Sequence, residues 1–364
     1  MDFKIKRNDL LQGLQTIQSI VDRKSTMPIL SNALFQLSQD GLRISATDLE
    51  VGMIVEIPVQ CNLEGKVALP AKSLYEIAKE LGGEEISFRA KTSGWIELGC
   101  GKSQFKIVQL PAEEFPSMPV IDVSKLVKVS GEDLLYLIEK TSYAVSLDET
   151  KYNLNGVYLE RVDKETLRMV ATDGHRLSYV ERKVALGLEK GVIIPRKGVM
   201  EMKRLLVSGG EYLFGIEGRN AVLKTDQALL IVRLIEGDFP DYQKVIPKNL
   251  EKAVSVGRNE ILGALRRVSL LNQDKNRGVK MIFSSGNLEI QSSNPDIGEA
   301  REELEVDYKG ERVEVGFNPR YFLDTIHALS DEKIILEFKD EISPCVMRSE
   351  YDRSFINVIM PMRL

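Results

Sequence analysis

Apolar positions recur along the chain in three related sets. Leu10, Leu11, Leu14 and Ile17 fall at i, i+1, i+4 and i+7 and predict one apolar stripe of an amphipathic helix. Leu134, Leu135 and Ile138 repeat most of that spacing, and Ile261, Leu262, Leu265 and Val268 repeat all of it. Ser130-x-x-Asp133 ahead of the second set reads as a capping box that satisfies free N–H groups at a helix start. Elsewhere the period drops to two. Ile86 to Ala90, Tyr212 to Ile216 and Lys333 to Phe338 alternate as half-buried strands do. Turn signals separate such runs, among them Thr92-Ser93-Gly94, Glu217-Gly218-Arg219-Asn220 and Ser284-Ser285-Gly286-Asn287.

Further anchors repeat in the same order. Leu42-Arg43-Ile44-Ser45-Ala46-Thr47-Asp48 matches Leu167-Arg168-Met169-Val170-Ala171-Thr172-Asp173, and Leu288 to Asn294 is a weaker third version. Pro70, Pro195 and Pro319 each lead from a strand into a helix, where the missing proline N–H would go unpaired anyway. Phe115-Pro116, Phe239-Pro240 and Met360-Pro361 close the three units. Corresponding anchors lie roughly 121 to 125 positions apart, a period that implies three copies of one domain. The expected class is α+β: three tandem domains with helices on antiparallel sheets, bounded at 1–121, 122–248 and 249–364. Ser117 to Lys125 and Pro247 to Lys252 are the candidate linkers.

Composition narrows the function. With 43% hydrophobic and 28% charged among 364 residues, the chain is neither disordered nor a disulfide scaffold. Its most apolar run, Ala228 to Ile235, is broken by Arg233 and is too short to span a bilayer. The start, Met1 to Arg7, has no apolar stretch of the secretory kind, so a cytoplasmic protein without a membrane partner is expected. Cys61, Cys100 and Cys345 are far apart and only His175 and His327 join them, so neither a metal site nor a cofactor is expected. Gly209-Gly210 lacks the context of a phosphate loop. Asp173-Gly174-His175 admits a hydrolase reading, but adjacent residues rarely hold a general base and its orienting group in register. The repeat without a catalytic cluster favours a binding body over an enzyme.

The net charge of −5 argues against a polyanion partner unless one face is basic. The helices do carry such a bias: Lys72 and Lys79 in one, Arg196, Lys197, Lys203 and Arg204 in its counterpart, Arg266 and Arg267 in another, and Arg23-Lys24 after the first. Interspersed Glu76, Glu80 and Glu201 also fit an ordinary solvated face. No aromatic interleaves them as a platform for single strands.

Met27-Pro28-Ile29-Leu30, Ala171-Thr172-Asp173-Gly174-His175-Arg176-Leu177, Phe239-Pro240-Asp241-Tyr242 and the terminal Met360-Pro361-Met362-Arg363-Leu364 together resemble the bacterial sliding clamp family, the β subunit of DNA polymerase III. The resemblance covers the whole chain in order. It implies a head-to-tail homodimeric ring of six domains, with helices lining the hole and sheets outside. Such a ring is a processivity factor: it encircles duplex DNA without reading sequence and tethers the replicative polymerase, the clamp loader and other partners. The resemblance also implies a partner-peptide pocket of Leu154, Thr172, Gly174, His175, Arg176, Leu177, Pro240, Lys244, Val245, Val358, Met360, Pro361, Met362, Arg363 and Leu364. Lys244 stands where arginine is common. Taken alone, Val358 to Met360 also read as a last core strand. Implied DNA contacts are Lys24, Lys72, Arg196 and Lys197; Lys24 and Lys72 replace familiar arginines and lose the bidentate fork. The Ser146–Thr150 loop is acidic where other members can offer neutral groups, so Asp148 is not counted among the contacts. The ring interface would join Lys102, Gln104 and Phe105 of one copy to Leu270 and Leu271 of the other. Helix-end packing is the plainer reading of the two leucines, and a scaffold that binds proteins without encircling DNA is the alternative function.

Overall fold

The computed structural model describes residues 1–21, 27–90, 94–207, 209–271 and 278–363. Lys24, Leu364 and the Thr92-Ser93 turn signal lie outside the described residues.

Three copies of one element order follow each other, the first with one added strand, Gln60–Leu63. The first runs β1 (Asp2–Lys6), α1 (Arg7–Ile17), β2 (Asn32–Ser38), β3 (Gly41–Thr47), β4 (Val51–Ile57), β5 (Gln60–Leu63), β6 (Gly65–Pro70), α2 (Ala71–Glu80), β7 (Glu85–Ala90), β8 (Trp95–Cys100) and β9 (Ser103–Val108). The second has β10 (Val127–Ser130), α3 (Gly131–Thr141), β11 (Gly156–Arg161), β12 (Thr166–Thr172), β13 (Arg176–Lys183), β14 (Val192–Pro195), α4 (Arg196–Leu205), β15 (Glu211–Glu217), β16 (Asn220–Lys224) and β17 (Ala228–Arg233). The third has β18 (Lys252–Gly257), α5 (Arg258–Val268), β19 (Val279–Ser284), β20 (Asn287–Asn294), β21 (Gly298–Glu305), β22 (Val313–Phe317), α6 (Pro319–Ala328), β23 (Lys333–Phe338), β24 (Cys345–Ser349) and β25 (Phe355–Ile359). Helix α3 starts directly after Ser130, as the capping box predicts.

The buried stripe differs slightly from the sequence reading. It runs i, i+3, i+4, i+7, through Leu10, Gly13, Leu14 and Ile17 in α1 and Ile261, Ala264, Leu265 and Val268 in α5. Leu11, Leu135 and Leu262 are half-buried, because one residue further turns a side chain about 100° off the stripe. Pro70 and Pro195 end their strands rather than open the helices, while Pro319 is the first residue of α6 behind an Asn318 cap that accepts from the Arg320 N–H at 3.0 Å.

The chain divides into two compact units, Met1–Gly131 with Met200–Leu234, and Glu132–Val199 with Ile235–Leu364. In the first, β10-β15-β16-β17-β4-β3-β2-β6 form one antiparallel sheet and β5-β1-β7-β8-β9 a second. Helix α1 packs on α2 and β4, and Phe3, Phe35 and Phe88 fill the core, with Phe3 stacked on Phe88 at 4.8 Å. In the second unit, β18-β23-β24-β25-β13-β12-β11-β14 form the large sheet and β21-β20-β19-β22 the small one, with α5 against α6, β20 and β21. Strand for strand, the two large sheets have the same order moved along by one repeat. Each is therefore built from two copies, joined at a seam: β4 with β17 in one, β13 with β25 in the other.

Candidate functional site

The seam of the second unit ends in a turn that the sequence dictates locally. Thr172 Oγ1 donates to the Arg176 carbonyl and accepts from the Gly174 N–H at 3.1 Å, while Asp173 Oδ1 accepts from the N–H groups of His175 (2.9 Å) and Arg176 (3.0 Å). The chain reverses through Gly174 at φ +92°, a conformation glycine takes without a Cβ clash. The other Asp173 oxygen accepts from Arg176 Nε at 3.1 Å, so this carboxylate is committed to the turn and not to the His175 ring. Arg176 is only 7% exposed. Its remaining donors reach Asp324 Oδ2 at 2.7 Å and the Tyr143 carbonyl, and its guanidinium lies over the Tyr321 ring at 4.7 Å. One buried cation thus ties the turn of the second copy to helix α6 of the third.

Beside this turn is a cavity of about 270 Å³ lined by Leu154, Thr172, Gly174, Arg176, Leu177, Pro240, Asp241, Tyr242, Val245, Val358 and Met360. Its floor is the seam itself, where Leu177 pairs with Val358. Its far wall is the turn around Pro240, held by aromatic packing: Phe239 stacks on Tyr158 at 4.9 Å and meets Tyr242 edge-on. The Tyr242 ring is buried against Leu177 and Val358. Its hydroxyl accepts from Arg168 at 2.6 Å and donates to Glu160, and Arg168 is held in turn by Glu181 at 2.8 Å. Burial and the Glu160 carboxylate push the Tyr242 phenol up to about 12, against the opposing pull of Arg168. The wall is therefore a neutral hydroxyl locked beneath an apolar surface. A lined, part-open apolar cavity with few polar atoms suits aliphatic side chains of an extended peptide.

Nine of the expected pocket residues line this cavity. Asp241 and Tyr242 line it too, although only Pro240 of the Phe-Pro-Asp-Tyr phrase is singled out in the sequence; the aromatic beside the proline is the signal that could have found them. The other described members of that set do not line it. His175 is exposed, and it is its carbonyl that serves, accepting from the Met360 N–H at 2.9 Å. Lys244 is exposed and pairs with Asp241, at the cavity edge, at 2.9 Å. Pro361, Met362 and Arg363 run on past the cavity, because the Met362 N–H bonds to the Gly316 carbonyl and draws the tail along β22; Arg363 lies beside Lys280 and Gln291.

Lys72 is exposed in the first turn of α2, and Arg196 and Lys197 in the first turn of α4. Neither turn, nor that of α6, contains an acidic residue, whereas α1 and α5 each carry one and α3 carries two. Cations at a helix N-terminus oppose the macrodipole, so local stability does not account for them. Asp148 accepts from Thr150 N and Oγ1 at 3.0 and 2.7 Å, bonds that hold its carboxyl below the usual range. Lys102, Gln104 and Phe105 lie exposed on or next to the edge strand β9, Phe105 at 38%, while Trp95 and Val108 pair half-exposed on the sheet's other face. Leu270 is 71% exposed and Leu271 half-buried, so helix-end packing does not explain the first. Among the described residues no three His, Cys, Asp or Glu cluster as metal ligands, and no helix is long and apolar enough to cross a membrane.

Three tandem helix-on-sheet domains, with sheets shared between neighbours and an apolar cavity at the second seam, define a class of DNA clamp proteins, and comparison with known proteins makes the assignment. The models of the DNA polymerase III beta subunit match in order: N-terminal domain at 1–119, central domain at 128–241 and C-terminal domain at 243–363. The chain is 37% identical to the beta sliding clamp of Caulobacter vibrioides and 33% to that of Escherichia coli K12, over 100% of both chains in each case. The crystal structure of the Pseudomonas aeruginosa DNA polymerase III subunit beta superposes with a TM-score of 0.95 at 33% identity, covering 100% of both chains. A clamp from that species bound to griselimycin gives 0.93 at 34%, again over 100% of both. The chain belongs to the beta sliding clamp family, the beta subunits of DNA polymerase III.

Proposed function

We propose that the protein is a non-enzymatic, cytoplasmic processivity factor. Two copies close head to tail around duplex DNA, and the cavity at the β13–β25 seam holds short linear motifs of the replicative polymerase, the clamp loader and other partners. The observation that carries the ring is the state of the sheet edges. β9 is an edge strand with apolar side chains open to solvent, which an isolated protein avoids because it templates pairing. β21, an edge of the small sheet, exposes Glu299 and Glu305 on either side of an Arg301–Glu303 ion pair, opposite in charge to Lys102 and Lys106 along β9, and Leu270 stands exposed at the end of the neighbouring helix. Joining these edges in both directions closes a ring with near-sixfold geometry.

Lys72, Arg196 and Lys197 would then supply weak, sequence-independent phosphate contacts, for which a helix N-terminus carrying cations is suited. Tethering acts through effective concentration and needs no tight grip on DNA. The committed Asp173 carboxylate supports a binding turn and counts against the hydrolase reading. Domain bounds of 1–121, 122–248 and 249–364 complete the proposal. Negative-stain imaging of the purified protein tests it: closed rings with a central hole are expected, and compact particles of one chain's mass would overturn the ring. Retention on circular but not linear DNA after loading separates a clamp from a scaffold that does not encircle DNA.

A further inference from the structure

The first unit contains a second cavity, about 320 Å³, at the place corresponding to the one just described. It lies at the β4–β17 seam, where Gly52 pairs with Ile231 as Leu177 pairs with Val358. Its turn is built in the same way: Thr47 Oγ1 donates to the Val51 carbonyl and accepts from the Leu49 N–H, and Asp48 Oδ1 accepts from the N–H groups of Glu50 and Val51 at 3.0 and 2.7 Å. Pro116 stands where Pro240 does, and Met118 takes the place of Tyr242. Gly52 makes room for that methionine, since a Cβ there would fall 2.3 Å from Met118 Cε.

The differences are chemical. Arg233 ends β17 at the position corresponding to Met360 just past β25, and Arg219 and Glu50 line the same mouth. At the lip, Leu49 adopts φ +78° where its counterpart is Gly174, and it is 50% exposed. A branched aliphatic side chain held in the left-handed region and presented to solvent is an outlier that folding alone does not reward, and such strain collects at binding sites.

We infer that the first unit carries a second linear-peptide site, specific for a short acidic segment of a partner protein. One aliphatic side chain of the segment packs on Leu49, Pro116 and Ile231, and its carboxylates face Arg219 and Arg233. Internal correspondence with an apolar peptide pocket gives the site its shape, and exchange of a methionine for an arginine changes what it accepts. The inference rests on the reading of the second unit's cavity as a peptide pocket, but not on the proposed ring.

Methyl resonances test it: Met118 lines this cavity and Met360 the other, and because Met118 also borders the neighbouring cavity around Arg43, Glu56 and Val123, the Arg219/Arg233 variant decides which one is occupied. The full chain, labelled with 13C-methyl methionine and assigned with a Met118→Leu variant, is titrated with acetyl-Glu-Leu-Asp-Leu-Glu-amide and, separately, acetyl-Lys-Leu-Lys-Leu-Lys-amide. The Met118 signal is expected to shift saturably with the acidic peptide alone, and the Arg219→Glu/Arg233→Glu variant to weaken binding by about tenfold or more. Leu49→Gly is expected to leave the melting temperature equal or higher while weakening binding. A Met118 signal unmoved at millimolar peptide, or moved equally by the lysine peptide, overturns the proposal. So does a shift that follows protein concentration without peptide, since the occupant would then be a second copy of the chain.

Discussion

Asp173→Asn isolates the turn that shapes the candidate peptide pocket. Asparagine keeps an oxygen for the His175 and Arg176 N–H groups, but its amide faces Arg176 Nε where a carboxylate oxygen sits 3.1 Å away. A hydrogen bond between charged partners is worth roughly 1.5–3 kcal/mol, and Arg176 retains Asp324 and the Tyr143 carbonyl, so it is not left bare. A loss of about 2 kcal/mol follows, which in a unit of this size lowers the melting temperature by about 4–8 °C. The loosened turn also needs ordering on each binding event, so peptide affinity falls by roughly three- to tenfold. Asp324→Ala is the control. It removes the 2.7 Å bond to the same arginine from a residue that does not line the cavity, so stability falls similarly and affinity stays within about twofold. Calorimetry and fluorescence polarisation with a labelled peptide bearing two aliphatic anchors read the two quantities. Wild-type affinity in Asp173→Asn, or equal loss in both variants, would refute the claim that this turn positions the pocket.

Other expectations follow from the same geometry. Phe105→Arg and Leu270→Glu alter exposed side chains, so each should convert a dimer into a monomer by sedimentation with little change in monomer folding; a dimer that survives both removes the edge-to-edge interface. Lys72→Glu with Arg196→Glu and Lys197→Glu should hasten loss from circular DNA and flatten the salt dependence by roughly 0.9 per lost phosphate contact, while peptide affinity is unchanged. Burial works to raise the Asp352 carboxyl, but hydrogen bonds from Ser354, Tyr136 and Arg182 outweigh it and bring it down to about 2. A depressed folded-state value means stability that is present above the ordinary 3.8 and lost as pH falls toward 2. Asp352→Asn should therefore lower stability at neutral pH and flatten the acid limb of a stability–pH curve; an unchanged acid limb would show that this carboxylate is not linked to folding.

The threefold repeat was legible because each copy must bury the same helical stripe on the same kind of sheet, and such periodicity survives sequence divergence. The strand-turn signature around Thr47-Asp48 and Thr172-Asp173 was legible for a similar reason: a hydroxyl and a carboxylate two and three residues from their N–H partners make a local structure that no distant contact has to specify. The seams were not. β17 finds β4, and β25 finds β13, across more than a hundred residues, and the alternation of a strand says which face is buried but not which partner lies alongside. The course of the C-terminal tail was not legible either: Met360 lines the cavity, while one hydrogen bond from the Met362 N–H to Gly316 carries the following residues along β22. Tyr242 escaped for a different reason. Its partners Glu160, Arg168 and Glu181 are ordinary strand charges in sequence and become a buried network only when three strands and the Pro240 turn meet.

The position of the pocket follows from how the seam strand stops. β25 is paired on both sides up to Ile359, and the Met360 N–H makes one more bond, to the His175 carbonyl. Pro361 has no N–H, so the ladder cannot continue, and the tail turns to the edge of β22. Where pairing ends, Leu177 and Val358, buried against the Tyr242 ring, form the floor, and the turn at Thr172–Arg176 and the Pro240 turn stand on either side. Neither wall depends on a flexible loop. One is closed by its own Thr and Asp hydrogen bonds and pinned by Arg176; the other is pinned by the Tyr158–Phe239 stack and the Tyr242–Arg168 bond. A preformed apolar slot of this kind selects partners by side chains rather than by fold, because an extended peptide meets two rigid walls and a fixed floor and little of its affinity is spent on ordering the protein. Under the proposed function, different proteins would share it by carrying the same few aliphatic residues in a mobile segment.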